Sequence, residues 1–95
     1  QRSVVLHHTY VLFSEKDHKL YIGFTSNLEK RVQAHNEGLN KSTRPRRPLK
    51  LIYFEGHSRK ADALRREAYF KTSSGKRTLK IMLKEVLEEL GHLKK

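Results

Sequence analysis

The stretch Thr9–His35, TYVLFSEKDHKLYIGFTSNLEKRVQAH, decides how this chain is read. Thr9–Ser14 and Lys19–Phe24 are both rich in branched and aromatic side chains, which favour pleated, half-buried strands. The polar segment Glu15-Lys16-Asp17-His18 between them suits a hairpin turn. Side chains alternate across a strand, so Tyr10 and Leu12 share one face while Val11 and Phe13 share the other. Tyr21 and Gly23 likewise share a face opposite Leu20 and Ile22. Gly23 leaves room for another backbone or a phosphate to come close. A tyrosine in a strand also has an ordinary use, packing in the core or on the sheet surface.

The remainder of the stretch is helical. Ser26 reads as an N-cap, Glu29 three residues on completes a capping box, and Gly38 is a C-terminal stop, giving a helix over 27–37. Leu28, Val32 and His35 fall at i, i+4 and i+7 and form its inward stripe. Arg31 and His35, four apart, face each other at the edge of that stripe. An arginine at such a position either lies solvated or points into a site.

Outward from this stretch the pattern continues. Val4-Val5-Leu6 is an apolar opener, and the adjacent His7 and His8 point to opposite faces of a strand, which disfavours their sharing a metal. Leu39–Pro48, LNKSTRPRRP, carries two prolines that deny it regular structure. No acid falls between Glu37 and Glu55, so Lys41, Arg44, Arg46 and Arg47 suit contact with phosphates. Leu49–Phe54 is a third strand. A second helix follows over 59–71, capped by Ser58, with Ala61, Leu64 and Ala68 on its apolar face and Glu67 on the inward side. Glu67 is either an ion-pair partner for a neighbouring arginine or a functional carboxylate. After the break at Thr72-Ser73-Ser74-Gly75, a third helix runs over 76–90 on Leu79, Met82, Leu83, Val86, Leu87 and Leu90, stopped by Gly91. Ser74, Lys76 and Arg77 at its start set a hydroxyl and two cations at a helix N-terminus, where a phosphate can be received. His92, Lys94 and Lys95 read as a frayed tail.

Ninety-five residues suit one domain over residues 1–95, α+β in class, with a small three-stranded and mainly antiparallel sheet flanked by three helices. Lys and Arg number 21 against 10 acids, for a net charge of +11. That excess favours a polyanionic partner, nucleic acid ahead of an anionic membrane surface. No run approaches the ~18 apolar residues of a membrane span. Cysteine is absent, which excludes a disulfide framework and thiolate zinc clusters and makes a reducing, cytoplasmic setting the default.

Tyr10-Val11-Leu12, then Tyr21-Ile22-Gly23, then the helix LEKRVQAHN and a later Glu67 resemble the GIY-YIG family over nearly the whole chain, in particular its small single-domain bacterial branch. Tyr21-Ile22-Gly23 with Arg31 and Glu67 carries the specific half of the likeness. In the other half, His8 and Thr9 stand where the family has the glycine and isoleucine that name it, and only Tyr10 matches. The resemblance implies a divalent-metal-dependent endonuclease acting on DNA. Tyr10 and Tyr21 would line the catalytic face, either one serving as general base. Arg31 would stabilise charge on the scissile phosphate, Glu67 would hold one Mg²⁺ or Mn²⁺ ion, and His35 would assist a tyrosine. No small-molecule cofactor is implied. A tyrosine has an ordinary pKa near ~10, so a neighbouring cation, Arg31, His35 or Lys19, would have to lower it. The family's asparagine after the metal-binding glutamate is missing from TSSGKRTLK, where Ser74, Lys76 or Thr78 could contact phosphate instead. A nucleic-acid-binding module with weak or no cleavage is the alternative, and a protein-interaction module using the basic surface is a third reading.

Overall fold

β1 (His7–Ser14) and β2 (Leu20–Thr25) form the expected hairpin, and β3 (Leu49–His57) pairs with the other side of β1. Both pairings are antiparallel, in the order β2-β1-β3. The computed structural model describes residues 5–91, so Val4 of the apolar opener and the tail residues His92, Lys94 and Lys95 lie outside the described residues. Side-chain hydrogen bonds set the hairpin turn. Ser14 Oγ accepts from the backbone N–H groups of Lys16 and Asp17 at 3.2 and 3.1 Å, and Asp17 Oδ1 accepts from that of Lys19 at 2.9 Å.

As the middle strand, β1 is covered on both faces, and Tyr10, Val11, Leu12 and Phe13 are all buried. The alternation therefore builds two small cores rather than one. Tyr10, Leu12 and Leu49 pack with Tyr21, Leu28, Val32 and Leu51 beneath α1 (Leu28–Asn36). Val11 and Ile22 pack on the opposite face with Phe70 and Leu79, from α2 (Lys60–Phe70) and α3 (Ser73–Met82). A bulge opposite Val11 and Leu12 sends the consecutive residues Ile52 and Tyr53 of β3 to the same core. His7 and His8 lie within β1, where His7 stacks on Phe24 and His8 meets Phe54 edge-on.

Several expectations need correction. The cap of α1 is Asn27, whose Oδ1 accepts from the Lys30 N–H at 3.2 Å, because Thr25 Oγ1 holds the Asn27 N–H at 3.0 Å and turns the chain one residue later than Ser26. Gly38 does end the helix, with φ +80°, a conformation that favours glycine. Asn36 then clamps α1 to the start of β3 by exchanging two 2.8 Å hydrogen bonds with the Leu49 backbone. The proline loop is not wholly irregular, since Arg44–Arg46 forms a 3₁₀ turn.

In α2 the residue before the helix is Arg59, which makes no side-chain cap bond, so Ser58 is not the cap. The inward face is Ala63, Arg66, Glu67 and Phe70, while Ala61, Leu64 and Ala68 are exposed. Thr9 fixes this rotation by donating from Oγ1 to the Ala63 carbonyl at 2.8 Å. The third helix starts earlier than expected, at Ser73, and breaks at Leu83 into α3 and α4 (Lys84–Glu89), which makes four α-helices instead of three. Gly75 permits the close crossing of α2 and α3, because a Cβ there would overlap the Tyr69 carbonyl. Among the described residues no helix is long and apolar enough to cross a membrane.

Candidate active site

The Tyr10 ring leans across its cross-strand partner Gly23, where a Cβ would overlap both ring and hydroxyl. Gly23 thus makes room for a phenol, not for a foreign backbone or a phosphate. So placed, Tyr10 Oη lies 2.8 Å from His35 Nε2, and His35 Nδ1 lies 2.7 Å from Thr43 Oγ1. All three residues are buried. Burial pushes the Tyr10 phenol well above its ordinary value. The neighbouring Tyr21 and Glu67 push it the same way, and Arg31 opposes them. Burial lowers the pKa of His35, and the Arg31 charge lowers it further. Both groups are therefore held neutral. One imidazole nitrogen donates while the other accepts, giving a continuous phenol–imidazole–hydroxyl relay.

This arrangement corrects one expectation. His35 is not a cation able to draw the proton off a tyrosine, because its own burial disfavours the charge. Thr43 was not foreseen at all. It occupies the cap position of the 3₁₀ turn but makes no capping bond, its hydroxyl lying on His35 instead. Its one signal in the sequence was a cap-type residue ahead of Arg44-Pro45.

Around the relay stand three groups with spare capacity. Tyr21 is half-buried, its ring 5.0 Å from that of His35 and 6.4 Å from that of Tyr10. Its hydroxyl has no hydrogen-bond partner among the described residues. Arg31 is exposed one turn before His35, and its guanidinium makes no ion pair or hydrogen bond among the described residues. Glu67 comes from α2, on the other layer of the sheet, yet its charge acts on the Tyr10 phenol. It is half-buried, and Lys71 Nζ holds its Oε2 at 3.2 Å.

Among the described residues no three His, Asp or Glu side chains cluster to cage a metal. Mg²⁺ keeps several waters and takes only one or two protein carboxylates beside substrate phosphate. A half-buried glutamate whose charge reaches the relay fits that mode of holding.

The basic loop is more committed than its composition implied. Arg46 donates to Asp17 at 2.8 Å and to the Leu20 carbonyl at 3.3 Å, and its own carbonyl accepts from Ser14 Oγ at 2.6 Å. Burial raises Asp17, but the Lys19 N–H, Arg46 and Ser14 outweigh it and bring its pKa down to about 2. Asp17, in the hairpin turn, thus supplies the compensating acid that the loop lacks, and Arg46 ties loop to sheet. Arg44 and Arg47 spend their Nε groups on the carbonyls of Gly38 and Arg44 at 2.8 and 2.9 Å, while Lys41 is exposed. At the start of α3, Ser74 Oγ accepts from Arg77 at 3.3 Å. The Gly75 N–H is already taken by Thr72 Oγ1 at 3.0 Å, so that amide is not free for a phosphate.

Comparison with known proteins adds the following. Residues 6–80 match the family model described as the GIY-YIG catalytic domain. A UPF0213 protein of Clostridium perfringens is 40% identical over 90 residues, covering 94% of this chain and 96% of its own. A UPF0213 protein of Bacillus licheniformis is 49% identical over 71 residues, covering 74% of this chain and 72% of its own. The UPF0213 protein YazA of Bacillus subtilis is 41% identical over 71 residues, with the same coverage. No solved structure matches.

Proposed function

The chain belongs to the GIY-YIG family, whose domain is that of a nuclease acting on nucleic acid, and on that premise we propose that it is a divalent-metal-dependent endonuclease of DNA. The observation that carries this reading is the buried Tyr10–His35 contact at 2.8 Å with the half-buried Tyr21 ring 5.0 Å from that of His35, and the electrostatics agree with it. The Tyr10 phenol is acted on together by Tyr21, Arg31 and Glu67, three groups from three separate elements. Phosphodiester hydrolysis needs a base for the attacking water and a cation against the charge that builds on the phosphate.

Tyr21 is the better base of the two tyrosines. Its hydroxyl is unspent and partly open to water, whereas burial keeps the proton on Tyr10. Tyr10, held by His35, serves as a neutral hydrogen-bond donor and sets the position of the Tyr21 ring. Arg31, with no partner among the described residues, is free to place its guanidinium on the phosphate. Glu67 would hold the ion, whose contribution is Lewis-acid stabilisation of the phosphate charge. Lys71 keeps that carboxylate oriented.

The test is nicking of supercoiled plasmid with Mg²⁺ or Mn²⁺. The native chain should nick, and Glu67→Gln should lose at least about 10³-fold in rate, as expected when the group that places the charge-stabilising ion is removed. Plasmid left intact by the native chain but shifted on a gel would hand the case to the binding-module reading, for which the absent asparagine is the motive.

A further inference from the structure

Lys19, Lys76 and Lys80 surround a cavity of about 260 Å³ between β2 and α3, floored by Leu20, Ile22 and Leu79. Leu20 and Leu79 belong to the second core and its edge, so the floor is fixed by packing. Lys76 and Lys80, four apart on α3, project on one side of the helix, and Lys19 faces them from the start of the strand. None of the three meets a carboxylate at ion-pair distance among the described residues. Asp17, in the turn just before Lys19, is taken by Arg46. Three uncompensated ammonium groups around one recess repel one another unless an anion joins them.

The place of this cleft matters as much as its charge. Its floor residue Ile22 sits between Tyr21 and Gly23 on β2, an edge strand. Strand residues rise about 3.3 Å each, so Lys19 lies roughly 7 Å along β2 from Tyr21. Leu20 and Ile22 face away from Tyr21 across the sheet, so a nucleic-acid strand that reaches both the cleft and the tyrosine passes round the β2 edge.

The geometry points to this three-lysine cleft as a second subsite of the enzyme. It takes a backbone phosphate of the same nucleic-acid strand that is cut beside Tyr21, with the sugar against the apolar floor. The inference rests on the reading of the protein as a nuclease of DNA. It adds two residues, Lys19 and Lys80, and shifts the role of Lys76 from the helix terminus to the cleft.

A short fluorescent DNA duplex, titrated by anisotropy in EDTA across a salt series, tests it. The triple variant Lys19→Gln, Lys76→Gln, Lys80→Gln should bind at least tenfold more weakly. Its slope of log affinity against log salt should fall by about 0.9 for each phosphate that the variant no longer neutralises. A control triple of equal charge, Lys50→Gln, Lys60→Gln, Lys84→Gln, should lose far less, and arginine at the three cleft positions should restore binding. Equal losses in both triples, beside a native chain that still binds and nicks, would overturn the cleft alone. A native chain that binds no DNA would overturn the nuclease reading and the cleft together.

Discussion

On one face of the sheet, Tyr53, Glu55 and His57 project from alternate positions of β3 toward Arg66 of α2. On the other, Tyr10 and Tyr21 gather with His35 and Arg31, and Glu67 acts on Tyr10 from α2. The two clusters use the same residue types in opposite ways. Glu55 accepts from Arg66 at 2.7 and 3.1 Å, from Tyr53 at 2.7 Å, and lies 2.9 Å from His57 Nε2. Arg66 also lies over the Phe70 ring, 4.3 Å from its centroid. Arg66, Tyr53 and His57 all converge on the one carboxylate, and the cluster is closed on itself. Around Tyr10 the buried relay is satisfied, while the Tyr21 hydroxyl and the Arg31 guanidinium have no hydrogen-bond partner among the described residues and Glu67 meets only Lys71. Residue identity does not separate the two clusters; unspent hydrogen-bonding and charge do.

The sharpest way to break this comparison is to remove the arginine from each cluster. Arg31→Ala should slow nicking by about 10²–10³-fold, the cost typical of losing one group aimed at developing charge. Its melting temperature should stay near that of the native chain, since the exposed guanidinium makes no hydrogen bond or ion pair among the described residues. Arg66→Ala should do the reverse. It strands a half-buried carboxylate and should lower stability by about 2–3 kcal/mol, while each molecule still folded cuts normally. A fall in melting temperature for Arg31→Ala, or loss of cutting by folded Arg66→Ala, would show the two roles to be mixed.

How far the sequence revealed these roles depends on the range of the forces involved. Both hairpin strands were legible to within two residues, because alternation and turn chemistry are local. Tyr10, Tyr21, Arg31 and Glu67 were singled out by motif spacing, and their roles are those proposed above; the structure adds that the last three act electrostatically on the Tyr10 phenol. The rotation of α2 was not legible. Ala61, Leu64 and Ala68 offered one apolar arc and Ala63 and Phe70 another, and only the bond from Thr9, 54 residues away, chooses between them. The break at Leu83 left no trace, since the apolar spacing runs through it unaltered. Arg46 looked free because its partner Asp17 lies 29 residues earlier.

The clusters should also differ in where pH attacks them. Burial raises Glu55, but hydrogen bonds from Arg66, Tyr53 and His57 outweigh it and hold its pKa at about 2, against an ordinary 4.5. A depressed carboxylate stabilises the fold above its unfolded pKa, and that contribution is lost as pH falls through the folded one. Glu55 should therefore cost stability between about pH 4.5 and 2, on the order of 2 kcal/mol. His35, also depressed, follows the same sign but starts higher, its contribution falling as pH drops below 6.5. Denaturant melts across pH should show an acid limb in two parts. Glu55→Gln should flatten the lower part, and His35→Gln the upper. A single limb unaffected by either change would mean that neither shift survives in solution.

The smallest effect tests the least legible residue. Thr43→Val keeps the volume of the side chain and removes only the hydroxyl on His35 Nδ1. A buried polar atom left without its partner costs about 1–3 kcal/mol, which for a domain of this size means a melting temperature lower by roughly 4 °C or more. Thr43→Ser keeps the hydroxyl and should recover most of that loss, which separates the hydrogen bond from the packing of the methyl group. The relay adds a second readout. With Nδ1 unpartnered, the proton balance of the imidazole should shift, visible in its ¹⁵N chemical shifts, and Tyr10 should lose part of its positioning, slowing nicking only a few-fold because Tyr21 and Arg31 stay in place. If Thr43→Val matches the native chain in melting temperature and in imidazole shifts, the hydroxyl contact is incidental. The neutrality of the Tyr10–His35 pair then comes from burial alone.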